Sequence, residues 1–234
     1  MPNEILHGRY QQLKKFDTMK NNKIILLILG LLIILLTVFY SSSGFIFIAA
    51  IILTILIAFV ISIFKIIKKR PVKQLIWALS KFILLLIIGI LIGLFIPYED
   101  AVLKKSLLIS EQIEYAYNSD QSDRKTLKTY LLPNSNLLIN NRDSLRLNFS
   151  IKIVNEYEQD KIELTDEDKF YLAMILHHGK TTEDYEKAHL LAIDAANSEN
   201  KIQNAEWLEK ATYDRLQISK GKKQKYGTQS GDIN

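Results

Sequence analysis

Three long apolar runs before Pro97 constrain this chain more than any other feature. Ile24–Tyr40 reads IILLILGLLIILLTVFY, seventeen residues without a charge. After the short polar turn Ser41–Gly44 comes a second uncharged run, Phe45–Phe64, FIFIAAIILTILIAFVISIF. The third starts near Ile76 and ends near Pro97. Its one charge, Lys81, lies close enough to the start for the ammonium to snorkel to an interface. Crossing hydrocarbon about 30 Å thick takes roughly 17–25 apolar helical residues. One such run is compatible with a buried core helix or a signal peptide; three in succession leave little room for either. Met1–Lys23 is too long and polar for a signal peptide, and no small-residue cleavage site follows the first run.

The flanks give an orientation. Arg9, Lys14, Lys15, Lys20 and Lys23 precede the first run, and Lys65, Lys68, Lys69, Arg70 and Lys73 separate the second from the third. Ser41–Gly44 has no basic residue, and the third run exits through Tyr98-Glu99-Asp100. Basic flanks face the cytoplasm. The expected topology is a cytoplasmic segment 1–23, a three-helix transmembrane anchor 24–97, and an extracytoplasmic helical domain 98–234, periplasmic or extracellular if the membrane is the bacterial inner one. Trp77 and Tyr98 suit the two interfacial belts. No carboxylate lies within a run, which favours an anchor in the lipid bilayer over a conduit.

Charge divides at the same place. Up to Pro97, eleven Lys and Arg face only Glu4 and Asp17; beyond it, nineteen basic residues face twenty-three acidic ones. The positive charge belongs to the membrane flanks. A nucleic-acid binder carries its positive charge on the folded domain, so for this slightly acidic one no nucleic-acid partner is expected. The absence of cysteine removes disulfides, thiolate catalysis and cysteine-based zinc sites together.

Residues 98–234 read as all-α. Val102, Leu103, Leu107, Leu108 and Ile109 sit at helical spacing in a segment ending near Asn118. Asp120 is placed to cap a second helix towards Leu131, stopped by Pro133. A third is expected from about Asn141 to Tyr157, with Ile151–Val154 offering only a brief strand-like alternative. Thr165-Asp166-Glu167-Asp168 opens a helix that Gly179 ends, as a glycine suited to the left-handed position. Thr181-Thr182-Glu183-Asp184 opens another, and Lys201–Ser219 forms the last. Ala188, Ala192, Ala195, Ala205 and Ala211 allow close helix approach. The pattern predicts an irregular, tetratricopeptide-like array without a clean repeat.

Several residues carry potential chemistry. Asp120 and Arg124 share a helix face four residues apart, which by itself describes a surface ion pair. His177-His178-Gly179 falls at a helix C-terminus, where the helix dipole favours a protonated imidazole; neighbouring positions point about 100° apart, so both rings do not readily face one site. His189 lies in another helix and makes a poor third ligand, so no metal is assigned. Tyr213-Asp214-Arg215 places two opposite charges where each must find partners elsewhere. No Ser-His-Asp order, P-loop or dinucleotide fingerprint occurs, and no cofactor is expected.

Taken together, Asp120-Gln121 with Arg124, His177-His178-Gly179, Asp214-Arg215 and Gln224-x-Tyr226-Gly227-Thr228-Gln229 resemble an uncharacterised bacterial family. Its domain ends in a Q-x-[YF]-G-T-Q signature, and the resemblance spans roughly residues 105–230 without the anchor. It implies that Gln224–Gln229 folds back on the helical domain, with a positive φ at Gly227. Asp120, Gln121, Arg124, His177, His178, Asp214, Arg215, Gln224, Tyr226, Gly227, Thr228 and Gln229 would then line or brace one polar cleft. The expected function is a binding module for a partner protein, peptide or small anionic ligand. The alternative is a hydrolase or transferase using His178 with Asp120 or Asp214.

Overall fold

The computed structural model describes residues 23–103 and 108–230, and every regular element among them is helical. In chain order these are α1 Lys23–Phe39, α2 Ser43–Ile67, α3 Lys73–Phe95, α4 Ile109–Lys125, α5 Lys128–Leu131, α6 Ser135–Glu158, α7 Asp166–His177, α8 Thr182–Ala196 and α9 Ala205–Ser219. The all-α class read from the sequence is the class observed. The orientation signals Arg9, Lys14, Lys15 and Lys20, and the apolar Leu107, lie outside the described residues. Internal contacts divide the chain into two units: Met1–Pro97 with Lys125–Leu132, and Tyr98–Arg124 with Pro133–Asn234.

In the first unit, α2 and α3 have 25 and 23 residues and are long and apolar enough to cross a membrane. The expectation of three full spans needs correcting. Among the described residues only α2 and α3 qualify as spans; the described α1 has 17 residues, a rise of about 25 Å, and ends at Phe39 before a turn at Ser41–Ser42. α1 is nonetheless packed into the unit. Ile33, Phe47 and Leu86 form a small buried core, one from each helix. Glycine makes that approach possible. A Cβ at Gly89 would sit 2.6 Å from the Ile33 side chain and 2.8 Å from Phe47, and one at Gly93 would sit 3.3 Å from Thr37. Such small-xxx-small spacing is how apolar helices come close. Thr37 Oγ1 donates to the Ile33 carbonyl at 2.8 Å. The outward side chains, Leu27, Phe39, Phe59 and Phe95 among them, stay exposed, and water is a poor solvent for so much apolar surface.

In the second unit, α4 runs unbroken through Asn118 and Asp120, so the expected boundary there is absent. Asp120 is a mid-helix residue, not a cap; aspartate favours N-caps, but this one is buried among arginines. α6 begins at Ser135, not near Asn141, behind a left-handed Asn134, and it absorbs Ile151–Val154. α9 begins at Ala205, not Lys201, behind a left-handed Asn204. α7 and α8 start where expected, each with a reciprocal capping box: Thr165 with Asp168 and Thr181 with Asp184. Gly179 is not left-handed. It is required because a Cβ would lie 2.4 Å from the Asp184 Cβ, so α8's first turn sits directly against the end of α7.

α7 is the centre of this unit, packed by α6, α8 and α9. Phe170 and Leu172–His177 are all buried, which explains why this helix is apolar on nearly every side. Ile113, Leu172, Leu176 and Leu208 are wholly inaccessible. Burial on this scale contributes about 1.5–3 kcal/mol per large side chain and fixes the C-terminal end of α7, where the histidines lie.

Candidate functional site

The site begins with charged residues on buried helix faces. α6 buries Ile139, Arg142, Arg146, Ser150 and Ile153, so two arginines occupy an otherwise mostly uncharged stripe. α4 turns Asp120 and Asp123 inward at three-residue spacing. Arg146 is 0 % exposed. It donates to Ser119 Oγ at 3.0 Å, to Asp143 Oδ1 at 2.8 Å and to Asp123. Arg142 grips Asp123 with two bonds, 2.7 and 3.2 Å. Arg124 does the same to Asp120, at 2.8 and 3.3 Å, and reaches Asp143 at 3.2 Å. Gln121 adds a bond to Asp120 at 3.1 Å.

Three guanidiniums therefore meet three carboxylates. Burial pushes the Asp120 carboxyl upward, against the pull of Arg124 and Arg146, and it raises Asp143 against Arg124 in the same way. Matching the charges is what makes such burial tolerable. The surface reading of the Asp120–Arg124 pair is thus overturned: the ion pair forms, but Asp120 is 1 % exposed. Sequence reasoning missed Asp123, Arg142, Asp143 and Arg146. For Arg142, Asp143 and Arg146 the signal was charge recurring at three and four residues on the face that carries Ile139 and Ile153; for Asp123 it was the three-residue spacing from Asp120 on α4.

The histidines meet this cluster from α7. His177 lies in the last turn and is 5 % exposed, and among the described residues its Nδ1 has no hydrogen-bond partner. His178 is the C-cap. Its side chain is 26 % exposed and its Nε2 stands 3.6 Å from Asp120 Oδ2. The two rings do come together, edge to face with centroids 5.5 Å apart, despite their neighbouring positions. The expected preference for protonated rings is reversed. Burial, then Arg215 and His178, lower His177 to about 3. Burial, then Arg124, Arg215 and Arg146, lower His178 to about 3. A helix end offers a cation about 0.3–1 kcal/mol at the surface, too little to offset desolvation beside fixed guanidiniums. Both imidazoles are neutral at physiological pH.

The C-terminal segment docks on α9. Asp214, 0 % exposed, accepts the N–H groups of Lys225 at 2.7 Å, Tyr226 at 2.9 Å and Thr228 at 2.9 Å, and the Thr228 hydroxyl at 2.8 Å. Burial acts to raise this carboxyl, but the four donors outweigh it and hold it below the usual range. Gly227 has φ +68°, the turn that lets successive N–H groups converge. Gln224 and Gln229 close the loop through two bonds of 3.0 Å. The Gln229 carboxamide then reaches outward, donating to the Ala211 carbonyl at 3.1 Å and accepting from Arg215 Nε at 3.0 Å. Arg215 Nη1 donates to the His177 carbonyl at 2.8 Å.

The structure thus gathers Asp120, Arg124, His177, His178, Arg215 and Gln229 into one connected polar set. Gln121 flanks it, while Asp214, Gln224, Gly227 and Thr228 brace it from behind. Tyr226 is 43 % exposed and packs on Tyr213 with centroids 5.6 Å apart. His189 is engaged elsewhere, with Thr212 and Tyr213. No protein-family model matches this chain, and no curated protein or solved structure does either.

Proposed function

We propose that this chain is a membrane-anchored binding protein whose helical domain grips an anionic group on a small ligand, peptide or partner protein. Arg124 and Arg215 supply the positive potential, and the neutral His178 ring offers one donor and one acceptor between them. One observation carries this reading. Arg215 is held by two neutral acceptors, Gln229 and the His177 carbonyl, and among the described residues no carboxylate lies within 4.0 Å of its guanidinium. A fixed guanidinium with neutral partners is pre-organised for an external anion, and little entropy remains to be lost on binding.

In this reading α1 joins α2 and α3 as the anchor, the N-terminus is cytoplasmic, and the α7–α9 array, tetratricopeptide-like in its packing, presents the site on the periplasmic or extracellular side. The basic loop between α2 and α3 supports that orientation; the bacterial origin rests on the sequence resemblance alone. A second reading, hydrolase or transferase, draws support from His178 standing 3.6 Å from Asp120. Asp214 has no such role, since the tail occupies its carboxylate.

Titration calorimetry of the full chain in nanodiscs at low salt, with inorganic phosphate and an oligo-glutamate peptide as probes, tests the proposal. Binding that weakens with salt and falls at least roughly tenfold in Arg215→Met is the expected result. Binding by neither probe, or binding indifferent to Arg215→Met, overturns it. Turnover of an ester or phosphoester lost in His178→Asn with the helices intact would favour the enzyme.

A further inference from the structure

From the last residue of α4 towards α6 the chain reads Lys125-Thr126-Leu127-Lys128-Thr129-Tyr130-Leu131-Leu132, with a short apolar stretch in a polar part of the sequence. It belongs to the apolar unit. Leu127 is 7 % exposed, and a Cβ at Gly44 would lie 2.7 Å from its Cβ, so glycine at the start of α2 makes room for it. The Tyr130 ring meets Phe45 edge to face, with centroids 5.7 Å apart. Lys128, 6 % exposed, donates its ammonium to the Ile96 carbonyl at 2.6 Å, satisfying an acceptor that the end of α3 leaves open.

These three contacts pin the segment at one end of the apolar helices, where α2 begins and α3 ends. Leu127 and Lys128 face inward. Tyr130, Leu131 and Leu132 face outward, with 64, 55 and 38 % exposure. The neighbouring Phe45 and Phe95 are also exposed, at 42 and 84 %, so the outward face continues the apolar surface of the spans. A tyrosine at this level is characteristic of the membrane interface.

We propose that Lys125–Leu132 is a foot in the membrane interface, with Tyr130, Leu131 and Leu132 inserted among lipid headgroups and upper acyl chains. It rests on the membrane part of the reading above and is independent of the anion site. The occupant is lipid because the patch is continuous with the surface that the bilayer covers. Interfacial segments of this kind insert roughly 5–10 Å. The foot makes the loop between α4 and α6 part of the anchor, although it lies far along the chain from α1–α3.

The lack of cysteine makes single-cysteine labelling clean. Leu131→Cys, Ile55→Cys in the middle of α2 and the exposed Lys161→Cys each receive an environment-sensitive fluorophore. The full chains are placed in phosphatidylcholine–phosphatidylglycerol nanodiscs carrying lipid spin-labelled near the headgroup or deep in the acyl chain. The foot requires the Leu131 probe to be quenched at least roughly twofold by the shallow label, less by the deep one, and shielded from aqueous iodide. Ile55 should answer to the deep label and Lys161 to iodide alone. A Leu131 probe that behaves like Lys161, or that neither quencher reaches because protein covers it, overturns the foot while Ile55 still reports the anchor. Failure of the Ile55 probe to respond to the deep label removes the anchor and the foot together.

Discussion

Two buried aspartates in the helical domain are satisfied in opposite ways, and the contrast explains how the site is built. Asp120, on α4, is neutralised by side chains: Arg124 from its own helix and Arg146 nearby on α6. Asp214, on α9, has no cation within 4.0 Å among the described residues and is neutralised by backbone N–H groups and a hydroxyl of the C-terminal segment. The first solution is rigid and depends on helix packing. The second depends on a peptide that has to fold back. They meet at the histidine pair, where the first delivers Asp120 and Arg124 and the second delivers Arg215 through Gln229.

Removing a charge from the first network should have the largest effect. Arg146→Ala leaves Asp123 and Asp143 buried without their central cation and should cost about 3–5 kcal/mol, read as loss of the cooperative helical melt by circular dichroism of the full chain. Acid comes next and separates the networks by pH. Both histidines have lowered folded pKa values, so the unfolded chain takes up protons first. Stability should begin to fall as pH drops below about 6.5 and continue falling towards about 3. Asp214, with its depressed carboxyl, gives stability that is complete above its unfolded value of about 3.9 and lost only below it. Tail release should therefore be confined to strong acid, while the α7 end weakens earlier. Coincident transitions at both places would break the distinction.

Asp214→Asn tests the second network directly. It weakens charge-assisted bonds that are worth about 1.5–3 kcal/mol each when intact, without removing them, and trypsin should cut faster at Lys222, Lys223 and Lys225 while the helical core survives. Gln229→Ala is the mildest, costing about 1 kcal/mol, but it frees Arg215 and should weaken anion binding more than it lowers stability. If Asp214→Asn melts the domain as fully as Arg146→Ala, the tail is an ordinary part of the core.

The two networks were unequally legible in the sequence. α7 and α8 could be placed from their Thr–Asp starts, because a capping box is local chemistry. The turn at Gly227 was expected only because the tail resembles a known signature. The break expected before Asp120 was wrong because tertiary partners on α6 override the capping preference of an aspartate. Arg142, Asp143 and Arg146 were passed over because charge normally marks a solvated face, and only their register with Ile139 and Ile153 betrays burial. The docking of Gln224–Gln229 came from resemblance to a signature, since no periodicity in a polar tail reveals a buried acceptor fourteen residues earlier.

The central claim of the proposal is that His178 is a neutral ring under the influence of the Arg124 and Arg215 guanidiniums and ready for an anion. Nuclear magnetic resonance titration of histidine-labelled full chain in micelles, with His178→Asn for assignment, tests it most directly. The account predicts a His178 midpoint at about 3, moving upward when inorganic phosphate binds. A midpoint near the ordinary 6.5 that does not respond to phosphate would contradict it.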